Sequence, residues 1–162
     1  MLSFSIVLTS QGITFLHAGS EFLRSKKGNE NSYNAGDSVN AIDWDLKSRN
    51  IDVYEYVRQL VSLRRNHPAF RMRSNRDVAK HIVFADQQPG VVAYSINDAA
   101  ALGDPWKRIH VLFNGKNQQI ELSIPEGKWS IFSSNNHVER QHRAVSGKVL
   151  MTPYSCTILY QQ

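Results

Sequence analysis

Cysteine is nearly absent from this 162-residue sequence: Cys156 stands alone, so no internal disulfide can form. Neither a Cys-X-X-Cys pair nor a His/Cys spacing of the kind that holds zinc occurs. Set in an apolar run at 155–160, the thiol is expected to be buried and structural. Long hydrophobic runs are missing too. No stretch approaches the roughly 20 apolar residues of a membrane-spanning helix, and no basic segment precedes the apolar residues 1–9 as it would in a secretory leader. Clustered positive charge is also lacking. The formal net charge is +5, but apart from pairs such as Lys26-Lys27 and Arg64-Arg65 the cations are scattered, and a nucleic-acid face needs a stripe of them. No acidic cluster has the form of a calcium loop. The expectation is therefore no metal, no cofactor, no membrane and no nucleic acid.

What is present suits a folded chain. Hydrophobic residues make up 41% and charged residues 20%, which is enough apolar material to build a core. The two halves differ in pattern. In the first, residues 2–8 are apolar and read as a short helix, Gln11-Gly12 stops it, and the short run 13–18 ends at Gly19. Helix, glycine, apolar strand and glycine in that order suggest part of a βα unit, with a strand at 13–18 buried on both faces. A polar stretch at 21–45, rich in Asn, Gly, Ser and Asp and holding Tyr33 and Trp44, follows. Long irregular loops at strand ends usually carry function. Next comes the clearest helix: Val53, Tyr56, Val57, Leu60, Val61 and Leu63 recur at helical spacing, Asp52 is placed to cap the start, and His67-Pro68 ends it.

From about Arg73 the period changes. Runs rich in β-formers occupy 78–84, 91–96, 108–114, 118–124, 128–133, 148–152 and 155–159. Pro89-Gly90, Asn114-Gly115, Pro125-Glu126-Gly127, Ser146-Gly147 and Pro153 separate them, which indicates an antiparallel sandwich. Asn114-Gly115 reads as a hairpin pair. The sandwich looks self-sufficient. The first seventy or so residues do not, because one parallel-type strand with a helix on each side cannot cover its own edges or faces.

A family resemblance rests on specific residues. The segment from Gly12 through Ile13, Thr14, Phe15, Leu16, His17, Ala18, Gly19 and Ser20 to Glu21 and Phe22 resembles the eighth-strand segment of α-amylase-type glycoside hydrolases, with Thr14 where proline is usual. The asparagine-rich loop from Lys26-Lys27-Gly28 through Asn29, Asn31, Tyr33 and Asn34, closing on Asp43-Trp44, resembles type I pullulanases in particular. His67-Pro68-Ala69-Phe70-Arg71, Gly103-Asp104-Pro105-Trp106 and Pro125-Glu126-Gly127-Lys128-Trp129 extend the likeness along essentially the whole chain. It implies that residues 1–72 are the last helix, strand and helix of a (β/α)8 barrel, followed at 73–162 by an all-β antiparallel sandwich. It also implies a parent that cleaves α-1,6 branch linkages of pullulan, starch or glycogen-type glucan. The catalytic carboxylates of such retaining enzymes lie after earlier barrel strands, upstream of Met1, so no catalytic residue is expected here. The implied partners are an α-glucan and the remainder of the barrel. Whether such a protein is secreted is not fixed by these residues.

Sugar recognition uses planar amides, carboxylates and an aromatic face, and Asn29, Asn31, Tyr33, Asp37 and Asn40 supply that set on the loop. These residues equally suit turns and local backbone bonding. With the resemblance, one or two of them are expected to line the sugar site, Asn31 and Tyr33 first. Asp43-Trp44 reads as an anchor with the indole packed under the loop, and Glu21 as structural, since a lone carboxylate has no partner for two-step glycosyl transfer. His17 reads as a satisfied core histidine. His67, His81, His110, His137 and His142 show no metal-type spacing. Tyr54 and Tyr56 read as core and rim, and Trp106 and Trp129 as sandwich core rather than a sugar platform. Two other readings are compatible with the pattern: a stand-alone starch-binding sandwich, and a domain that docks on a partner.

Overall fold

The computed structural model describes residues 1–85, 88–141 and 143–162. Its centre is an antiparallel sheet with strand order β1-β2-β3-β9-β5-β6, and β7 pairs with β5 beside β6. The strands are β1 (Ile82–Ala85), β2 (Val91–Ile96), β3 (Arg108–Asn114), β5 (Trp129–Ser134), β6 (His137–Val138), β7 (Ala144–Val145) and β9 (Ser155–Gln161). β4 (Ile120–Ser123) and β8 (Lys148–Met151) form a separate two-stranded sheet. The expected antiparallel β-domain is present, and its runs at 91–96, 108–114 and 155–159 become the central strands β2, β3 and β9.

Both faces of the large sheet are buried at its centre, while β1 at its edge stays largely exposed. Side chains alternate along a strand, so Leu112 of β3 joins Ile120, Leu122, Trp129, Val149, Met151 and Leu159 in a core beneath the small sheet. Ile109, Val111 and Phe113 point the other way, where Cys156, Ile158 and Tyr160 join them. That second face is covered by α1 (Leu2–Thr9) and α4 (Ile51–Asn66). α4 presents Val53, Tyr56, Val57, Leu60 and Leu63 to it, each worth roughly 1.5–3 kcal/mol for full burial. Its other side carries the Arg58–Glu55 pair and half-exposed Val61. The molecule is thus layered helices, large sheet, small sheet. The β-portion is not self-sufficient as the sequence suggested: removing the helices would strip one whole face of the sheet.

α4 ends before His67-Pro68 as expected. Asp52 sits inside its first turn rather than at the cap, which Asn50 occupies. Residues 78–84 differ from the sequence reading, because α5 (Asn75–His81) takes the first half of that run. Ser74 Oγ accepts from Asp77 N–H at 3.1 Å and donates to its carboxylate at 2.7 Å, a capping arrangement strong enough to outweigh the β-propensity of Val78. Asn114-Gly115 does not turn a hairpin either, since β3 and β4 lie in different sheets. Asn114 is fully buried; its Nδ2 donates to the carbonyls of Gln118 (2.9 Å) and Thr152 (2.8 Å), and its Oδ1 accepts from Lys116 N–H.

Residues 13–18 form no strand. Ile13 is fully exposed, Phe15 is 82% exposed, and only Leu16 packs against the helical core. A strand is made by its neighbours' hydrogen bonds, and no described segment pairs with this one. His17 is accordingly exposed and not a core residue. Trp106, Trp129, Tyr56 and Cys156 are buried as expected, with Tyr54 at the rim, where Lys47 lies over its ring at 4.3 Å. Among the described residues no helix is long and apolar enough to cross a membrane, and no cluster of His, Cys, Asp or Glu has metal-binding form. His142 lies outside the described residues.

Candidate functional site: the polar loop after residues 13–18

The loop begins at a 3-10 turn, Ser20–Phe22, entered through Gly19. Gly19 has φ +91°, and a Cβ there would meet the Arg24 side chain at 2.7 Å, so glycine is required on two counts. Glu21 carboxylate accepts from Gly19 N–H at 2.9 Å, the structural role expected for it. Phe22 is buried and ties the turn to the rest of the chain.

Three cations then close the loop on itself. Arg24 donates to the carbonyls of Ala18 (3.1 Å) and Asn40. Lys26 Nζ reaches Asn40 Oδ1 at 2.6 Å, and Lys27 Nζ reaches Ser38 O at 2.7 Å. The Lys26 ammonium is held below the ordinary lysine range, first by desolvation and then by the charge of Arg24. Asn40 Nδ2 donates to Ser32 O at 2.6 Å, so both ends of this amide are used inside the loop. Asn40 lies at the end of the short helix α2 (Asp37–Asn40), which follows Gly36.

The five sugar candidates therefore separate. Asn40 is the loop's internal tie. Asn29 Oδ1 accepts from Asn31 N–H at 3.1 Å, making an Asx-type turn that brings those two residues together. The side chains of Asn31, Tyr33 and Asp37 have no hydrogen bond to another described residue, and all three face solvent, with Tyr33 82% exposed. Trp44 departs from expectation: its indole is 67% exposed and only edges towards Phe22 at 5.8 Å, so it does not pack under the loop. Asp43 does the anchoring through its carboxylate, accepting from Asp45 N–H at 3.0 Å and pairing with Arg49 at 2.9 Å; Asp45 and Arg49 bound the next helix, α3 (Asp45–Arg49). Sequence reasoning missed the organising role of Arg24, Lys26 and Lys27. The signal was available: cations inside a stretch dense in carbonyls and amides have local acceptors.

Chemically the loop offers amides, carboxylates and two exposed aromatic rings, a set suited to a polyhydroxylated ligand. Glu21 and Asp43 are committed to backbone N–H groups and Arg49, while Asp37 opens α2.

Residues 78–137 match the family described as "Pullulanase, all-beta domain". Over 124 residues the chain is 39% identical to the pullulanase of Bacillus subtilis, covering 76% of this chain and 17% of that protein. The solved pullulanase from Bacillus acidopullulyticus superposes with a TM-score of 0.92 at 37% identity, over 99% of this chain and 20% of the other. The type I pullulanase from Bacillus subtilis, solved in complex with maltose, does so with a TM-score of 0.93 at 32% identity, over 99% and 22%. The chain thus spans about a fifth of the length of the relatives it matches. Sequence and fold together set it beside the pullulanases. Within that class it corresponds to the C-terminal part of the type I pullulanases.

Proposed function

We propose that this chain acts as the non-catalytic C-terminal part of an enzyme that hydrolyses α-1,6 branch linkages in pullulan, starch or glycogen-type glucan. In this reading residues 1–72 complete a (β/α)8 barrel and residues 73–162 are the sandwich behind it. The observation that carries it is the state of residues 13–18. The segment is apolar and belongs to no sheet, its one backbone-to-backbone bond among the described residues being Ser20 N–H to His17 O at 3.0 Å, with Ile13 and Phe15 turned to solvent. Parallel barrel strands are covered on both faces by neighbours, and this segment is suited to become one once those neighbours are supplied.

The loop after it then forms one wall of the sugar cleft, at the end of the barrel where active sites are built. Asn31, Tyr33 and Asp37 are available to a glucan there, with Asn29 shaping the turn and Asn40 holding the loop closed. The maltose complex of the Bacillus subtilis relative supports an α-glucan ligand. Nucleophile and acid/base would come from the rest of the barrel. A stand-alone starch-binding role through Trp106 and Trp129 finds no support, since both indoles are buried.

Two measurements test this. The purified chain incubated with pullulan should release no reducing ends above a protein-free control; release would overturn the assignment. Backbone amides at 13–16 should exchange with solvent at close to unfolded-chain rates. Strong protection would mean that the segment is already paired, and would remove the ground for the barrel.

A further inference from the structure

Residues 13–17 form neither helix nor strand, and Leu16 alone among the apolar side chains of 13–18 is tied to the core. Packing therefore does not account for how the segment is held. Its two ends do. Arg64, buried on α4, donates to three carbonyls: Leu8 at 3.1 Å, Ser10 at 2.7 Å and Gly12 at 2.6 Å. The first is an orphan acceptor of the α1 terminus, and the last stands just before the segment. Gln11, between them, is clamped by Ala69 O at 2.8 Å and Met72 N–H at 2.9 Å. At the far end Arg24 donates to Ala18 O at 3.1 Å, and Asn50 Nδ2 donates to Phe22 O at 3.2 Å, four residues past the segment.

Arg64 and Asn50 belong to one rigid body, because Asn50 caps α4 and Arg64 lies in its last turns. Both also grip backbone carbonyls, so they act whatever side chains the segment carries. Only a guanidinium fork serves three carbonyls in fixed directions; a lysine ammonium in its place is a point charge on a flexible stem.

We propose that α4 is a brace for residues 13–22, with Arg64 and Asn50 as positioning residues that hold the two ends of the segment and set where the following loop stands. This rests on the reading of that loop as a sugar wall. It adds that the chain prearranges both elements before any barrel neighbour or glucan arrives.

The test is a distance distribution between spin labels in the whole chain, at His17→Cys and Glu126→Cys. Both sites are exposed, and Cys156 is buried and stays unlabelled. The parent should give a narrow distribution. Arg64→Met should widen it by roughly a factor of two or more, Asn50→Ala by less, and Arg64→Lys should recover only part of the sharpness. Leu63→Ala, next door but directed into the core, should lower the melting temperature and leave the width alone. A distribution as narrow in Arg64→Met as in the parent overturns the proposal, as does equal widening in Leu63→Ala. Should Arg64→Met fail to fold, an unchanged width in Asn50→Ala overturns it equally. Cleavage of pullulan by the chain would sink the non-catalytic assignment and leave these distances untouched, so the two failures are distinguishable.

Discussion

His67 and Asp104 meet Nδ1 to Oδ1 at 2.8 Å across the seam between the end of α4 and the strands. Asp104 is buried and takes two further bonds, from Ala69 N–H (3.1 Å) and Trp106 N–H (3.0 Å). The His67 ring lies 3.7 Å from that of Trp106, which stacks on Tyr160 at 4.1 Å and 12°. One carboxylate thus fastens helix exit, loop and aromatic stack together.

Replacing Asp104 by Ala should therefore cost about 3 kcal/mol, since it leaves two buried N–H groups and a histidine without an acceptor. Urea unfolding followed by tryptophan fluorescence measures it. Asp104→Asn, which keeps one acceptor oxygen, should cost less.

His110 is buried, with Nδ1 2.8 Å from Ser95 Oγ and no partner for Nε2 among the described residues. Desolvation first, and then the Arg108 charge, push it down to about 4. Between the unfolded value near 6.5 and that figure, the unfolded chain binds the extra proton and the folded chain does not. Stability should be complete above pH 6.5 and fall by about 3 kcal/mol as pH drops towards 4. Melting temperature against pH should show that slope in the parent, and a shallower one in His110→Gln.

Asn114 satisfies two carbonyls and one N–H from inside the sheet, so Asn114→Ala should lose about 2–3 kcal/mol. Asn114→Asp should be no better, because a carboxylate cannot donate to Gln118 O and Thr152 O. The midpoint of denaturant unfolding reports both.

The Cys156 thiol is pushed up to about 12 by burial. Aromatic disulfide reagents should therefore find no reactive thiolate in the folded chain at neutral pH. One thiol per chain should appear on adding denaturant. Rapid native labelling would refute the buried placement.

Much of this was written in residue patterns, for identifiable reasons. α4 was legible because its apolar positions keep helical spacing, and β3 and β9 because their runs are rich in β-formers and bounded by turn-makers. α5 was missed because Val78, Ile82 and Val83 drew attention from Ser74 and Asp77, the capping pair that starts a helix. The state of residues 13–18 could not be read locally, since strand pairing depends on neighbours elsewhere. At the loop, the residue types did not separate solvent-facing Asn31 and Tyr33 from Asn40, whose amide is spent within. That distinction lies in three cations and their acceptors, which are brought together only by the turn at Gly19.

The placing of β9 has an outcome for assembly. It comes last of the strands in chain order, yet lies between β3 and β5, so β1-β2-β3 and β5-β6-β7 share no pairing until it arrives. During synthesis both groups must wait with open edges for residues 155–161. Loss of that short stretch would not fray a border; it would pull out the middle plank and leave two halves with nothing between them.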